Sequence, residues 1–208
     1  MKKMLLILLC LILSFGMFAE NIEEKIEVLE NILVKEPKNI SALLELGKLY
    51  HSLAADGHKD AVPKAEKIFE EVLKIEPDNA EALVWYGSVL TLKGYYEWLP
   101  IMKLVYVWRG IEEMRKAVEL DPDNPVVRLV RANTSLALPR FFMQLKVAVR
   151  DFEYLLMLYE KSPNKFSKDM LVNIYLGLEK AYKKIGDEEE AKKCKSKAEE
   201  LLHNPANR

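Results

Sequence analysis

Three tripeptides punctuate the chain: Pro37-Lys38-Asn39, Pro77-Asp78-Asn79 and Pro122-Asp123-Asn124, with Pro163-Asn164-Lys165 beyond them. Their prolines stand 40, 45 and 41 residues apart. A period in that range constrains the fold more than any other feature, because each unit must be one supersecondary element that buries its apolar face against the next. Proline stops the helix before it, and Asn39, Asn79 or Asn124 can cap the helix after it through a side-chain oxygen.

Between these marks the apolar residues recur at helical spacing. Leu43, Leu46, Gly47 and Tyr50 form one set, and Leu83, Tyr86, Gly87 and Leu90 repeat it. Before the following prolines come Ala65, Phe69 and Val72, then Gly110, Met114 and Ala117. Small and large residues alternating at spacings of four and three let two helices approach and lock. The last segment has Ala181, Tyr182, Gly186, Asp187, Ala191 and Ala198 in one register, and Asp187 with Glu190 makes a capping box.

These residues resemble the tetratricopeptide repeat (TPR) family, whose helix-turn-helix unit is typically 34 residues. The resemblance spans about residues 21–202 and is weakest near Pro125, where Arg128 and Arg131 replace apolar residues. It implies an all-α, right-handed helical-repeat solenoid of about nine helices. The expected organisation is a signal peptide over 1–19 and a single TPR-like domain over 20–208. That domain comprises a half-repeat cap at 21–39 and repeats at about 40–79, 80–124, 125–168 and 169–205.

The early repeats exceed the family length between their first and second helices, and each excess carries a proline: Pro63, Pro100 and Pro139. Proline suits a first helical turn, so Pro100 and Pro139 predict lengthened second helices in repeats two and three, reaching ~12 Å past the usual edge. The stretch Pro100 to Trp108 is apolar on nearly every side and needs cover, for which Phe141, Phe142, Met143 and Leu145 are suited. One reading is a satellite core between two long helices. The other is a binding edge built from Tyr95, Tyr96 and Trp98 in a "KGYYEW" loop, together with Phe141 and Phe142.

In the TPR family, recurring positions on the first helices contact bound peptides. Carried onto this chain, they are Leu44, Val84, Leu129 and Leu176, then Lys48, Ser88, Asn133 and Lys180. The family's clamp for C-terminal carboxylates uses a lysine where this chain has Leu44, so that activity is not implied. Arg128 and Arg131 share a helix face and need acidic partners if buried. Glu97, Glu112 or Asp151 would serve internally; a ligand carboxylate or phosphate would serve from outside.

The N-terminal residues are of a different character: Lys2 and Lys3, an unbroken apolar run from Met4 to Leu13, then smaller residues to Ala19. This pattern reads as an export signal, too short to span a ~30 Å hydrocarbon core comfortably, with an uncleaved membrane anchor as the other reading. A periplasmic or extracellular location follows. Lys and Arg number 31 against 32 acidic residues, which gives no electrostatic reason to expect nucleic acid binding. No phosphate-cradling loop, paired-cysteine metal motif or nucleophile–base arrangement stands out, so no enzyme activity, cofactor or metal is expected. His51 and His58 flank Asp56 in a polar stretch that more simply faces solvent. The function these features imply is a non-catalytic exported scaffold that binds a partner protein or peptide through an apolar concave groove and an aromatic edge. The alternative is a carrier or accessory protein for a small apolar ligand, working beside a solute transporter.

Overall fold

The computed structural model describes residues 22–203, so the proposed signal peptide lies outside the described residues. Among those residues the chain is all-helical. It comprises α1 (22–35), α2 (Ile40–Ala55), α3 (Ala61–Ile75), α4 (Ala80–Tyr96), α5 (Pro100–Leu120), α6 (Pro125–Ala137), α7 (Leu145–Lys161), α8 (Lys168–Ile185) and α9 (Glu188–His203). Short 3-10 turns occupy Arg140–Phe142 and Pro163–Lys165.

The asparagines start the helices for the reason the sequence suggests. Asn39 Oδ1 accepts from Ala42 N at 3.0 Å, Asn79 Oδ1 from Ala82 N at 2.9 Å, and Asn124 Oδ1 from Val126 N at 3.0 Å. Each satisfies an amide that the first helical turn leaves without a partner. At the last turn between helices, Asp187 Oδ1 accepts from Glu190 N at 3.1 Å, and Gly186 takes the left-handed conformation that ends α8.

Two compact units divide at Pro77 and Asp78. In the first, α2 and α3 pair through Gly47, where a side chain would meet the Phe69 ring at 2.7 Å. Tyr50 on α2 donates to Glu30 on α1 at 3.0 Å.

In the second unit, α4 pairs with α5, α6 with α7 and α8 with α9, while α4, α6 and α8 adjoin as successive first helices. Two polar bridges tie that row: Ser88 Oγ to Thr134 Oγ1 at 2.9 Å, and Asn133 Nδ2 donating to Asn173 Oδ1 at 3.0 Å. The core between α6, α7 and α8 gathers Ala132, Phe152, Leu155, Ile174 and Leu178, with Phe152 pressed against Gly177. Beside it, Asp151 is fully buried and accepts from Arg128 Nη1 at 2.9 Å and from Arg131 Nε at 2.6 Å. Both arginines therefore have an internal acid. Arg128 also lies 3.7 Å over the Tyr154 ring.

Two local expectations are corrected. "KGYYEW" is not a loop: Gly94 to Tyr96 form the last turn of α4, leaving only Glu97 to Leu99 between helices. Within that turn Gly94 lets α5 approach closely, since a Cβ there would lie 2.9 Å from Lys103 O. Pro100 does begin the 21-residue α5, whereas Pro139 begins no helix. Pro139 is extended, a 3-10 turn follows, Met143 takes a left-handed φ of 57°, and α7 starts at Leu145. Long-range contacts hold that turn: Arg140 Nη2 donates to Lys184 O at 2.8 Å, and Phe142 packs edge-on to Trp108 with ring centres 5.5 Å apart.

Candidate partner-binding edge

The lengthened α4–α5 hairpin and the 3-10 turn after α6 enclose a cavity of about 440 Å³ in the second unit. Thr91 and Leu92 come from α4, Leu104 and Val107 from α5, Ala137 from the end of α6, and Phe142 from the turn. Its wall is almost entirely hydrocarbon and aromatic carbon, with Lys103 at the margin, where Nζ approaches Tyr95 O at 3.5 Å.

The site depends on where α5 leaves its apolar side chains. Ile101, Leu104, Val105 and Trp108 follow the i, i+3, i+4, i+7 spacing of one helix face, and all four are exposed, Ile101 at 66%. An apolar stripe of this kind ordinarily packs on a neighbouring helix. Here Phe142, which is 4% exposed, covers the Trp108 end, and the rest of the stripe stays open. Beside the stripe stand Tyr95, Trp98 and Met143, the last two 81% exposed. Contiguous exposed apolar surface on this scale marks interaction surfaces in soluble proteins.

The expected site residues fall into distinct environments. Tyr95, Phe141 and Phe142 are brought together around the cavity. Tyr96 braces Tyr95 edge-on with ring centres 5.0 Å apart, and Trp98 projects from the three-residue connection. Glu97 rigidifies that connection, its Oε1 accepting from Trp98 N at 2.8 Å and Leu99 N at 3.1 Å.

On the first helices, Val84 is fully buried and Ser88 nearly so, which makes both part of the packing. Leu129 and Asn133 are partly exposed, with Asn133 engaged by Asn173. Leu44 and Lys48 are partly exposed on α2 in the first unit, where Lys48 pairs with Glu45 at 2.7 Å. Arg128 and Arg131 are buried against Asp151 and do not reach the cavity. Among the described residues no three His, Cys, Asp or Glu side chains form a metal-holding group.

The residues that sequence reasoning missed are Ile101, Leu104 and Val105. The signal was present as a one-faced stripe, but it is hard to isolate in a stretch apolar on most sides. A second feature was also missed: a basic cleft of about 440 Å³ at the α6 terminus, lined by Asn133, Leu136, Ala137, Lys180, Lys183 and Lys184.

No protein-family model matches this chain, and no curated protein sequence matches it. Among solved structures it is similar to TTC0263, a thermophilic TPR protein of Thermus thermophilus. That likeness has a TM-score of 0.71 at 15% identity, over 93% of this chain and 90% of that one. It is also similar to MamA, with a TM-score of 0.53 at 18% identity, over 88% of this chain and 90% of that one. At such identities the likeness establishes the fold: this chain has the TPR-like helical-repeat architecture.

Proposed function

We propose that this protein is a non-catalytic TPR-like scaffold that binds a partner polypeptide along the aromatic edge of its second unit. The observation that carries this reading is the exposed stripe Ile101–Leu104–Val105–Trp108 flanking an apolar cavity. A rigid hairpin holds that surface, so a partner binds without the loss of freedom that ordering a loop would cost. Apolar side chains on the partner enter the cavity, while Tyr95, Trp98 and Phe141 supply large contact area from the rim. Partly exposed residues of the first-helix row, Leu129 among them, extend the surface. The N-terminal pattern over 1–19 supports export, and the partner then belongs to a periplasmic or extracellular setting.

The cavity's volume also favours a second reading, a carrier of a small apolar ligand. Native mass spectrometry of protein purified gently from its own host separates the two. A co-purifying mass of polypeptide size, absent from the Ile101→Asp variant, supports the scaffold. A bound mass that extracts into organic solvent establishes the carrier instead.

A further inference from the structure

The edge carries a charge pattern that the chain as a whole lacks. Basic and acidic residues are balanced overall, 31 to 32. Yet no acid occurs between Glu97 and Glu112, where Lys103 and Arg109 lie. None occurs between Asp123 and Asp151, where Arg128, Arg131, Arg140, Lys146 and Arg150 lie. Asp151 occupies Arg128 and Arg131. Glu97, the one acid within the α4–α5 connection, is turned to the backbone amides of Trp98 and Leu99.

The cations on the α6 side are held in place without carboxylates. Lys184 Nζ donates to Leu136 O at 2.7 Å, and Arg140 donates to Lys184 O at 2.8 Å. Both bonds end on neutral carbonyls, and neither side chain pairs with a carboxylate among the described residues. The Lys180 side chain has no hydrogen bond or ion pair among the described residues; Lys183 is the exception, paired with Glu179 at 2.6 Å. These lysines line the basic cleft, which meets the apolar cavity at Ala137, a residue common to both walls.

Resting on the partner-binding reading above, we infer that the occupant is an acidic polypeptide segment with a bulky apolar anchor: the anchor fills the cavity beside Leu104 and Phe142, and an adjacent carboxylate crosses Ala137 to Lys180 and Lys184. Charge complementarity selects the acid, and the apolar wall selects its neighbour. Concavity favours a polypeptide over a bilayer, since a bilayer surface would leave both hollows unfilled.

The test is selection of random linear peptides on the immobilised full chain, with the uncoated support as decoy. The expected peptides carry Asp or Glu beside Leu, Ile, Phe or Trp. A synthetic copy of the consensus should bind at least about tenfold more weakly to Lys180→Glu. Changing the peptide's acid to lysine should restore binding to that variant. Recovered peptides without acids, or an affinity indifferent to Lys180→Glu, overturn the acidic partner while leaving the edge reading standing. Affinity indifferent to Ile101→Asp removes both. No enrichment over the decoy overturns the inference. So does flotation with phosphatidylglycerol vesicles that Ile101→Asp abolishes, in which case the occupant is a membrane.

Discussion

Gly87 on α4 and Gly110 on α5 face each other so closely that a Cβ on Gly87 would lie 2.6 Å from the carbonyl oxygen of Gly110. A Cβ on Gly110 would in turn strike the Gly87 carbonyl. This crossing fixes the hairpin from which the aromatic edge projects. The obstacles are backbone atoms, which cannot rotate away as a side chain can. Gly110→Ala should therefore destabilise the second unit by about 2–3 kcal/mol, at the upper end for overpacking. Urea unfolding measures it, and near-wild-type stability would show that the hairpin can widen.

Asp151 holds two arginines out of solvent, and its removal leaves both guanidinium groups buried without an anion. Asp151→Asn is expected to cost about 3–5 kcal/mol, the range for breaking a buried pair from one side. Replacing all three residues by apolar ones of similar size should be far milder. A double-mutant cycle on Asp151 and Arg131 reports the coupling.

Burial lowers the pKa of His51 on α2 from 6.5 to about 4. Between those values the unfolded chain binds a proton that the folded chain refuses, so stability should fall as pH drops from about 6.5 toward 4. Below 4 both states are protonated and this contribution levels off. The expected loss is on the order of 1–3 kcal/mol, and His51→Gln should flatten that part of the pH–stability profile. A profile unchanged by the substitution would assign the dependence to other groups.

Cys194 packs in the α6–α7–α8 core, where burial pushes its thiol up to about 11. Alkylation by iodoacetamide at pH 8 should be slower than for a free thiol by at least about a hundredfold, since the thiolate is the reactive form. The rate should recover in denaturant. Fast labelling under native conditions would mean that α9 opens readily.

Much of the architecture is readable from residue spacing. Asn39, Asn79 and Asn124 cap helices as their position after proline predicts, and Gly47 and Gly87 lie at close crossings. These are local or pairwise rules, and they survive folding unchanged. Pro139 misleads because the same proline suits a helix start or an extended approach. The choice is made by Arg140 reaching Lys184 and Phe142 reaching Trp108, contacts 44 and 34 positions apart in sequence. Val84 and Ser88 sit at family contact positions, yet α4 is buried around most of its circumference, which turns them inward. The cavity was legible only as a concentration of aromatics. Which apolar residues stay uncovered depends on where the turn after α6 ends.

The claim that most needs testing is that the α5 stripe is surface built for a partner and not core. Equilibrium unfolding and binding of the selected peptide, both measured on Ile101→Asp, address it directly. Because the side chain is largely exposed, stability should stay within about 0.5 kcal/mol of the wild type, while affinity falls at least about tenfold. A loss of several kcal/mol in stability would show that the stripe is packed as core, and undiminished affinity would show that the partner binds elsewhere.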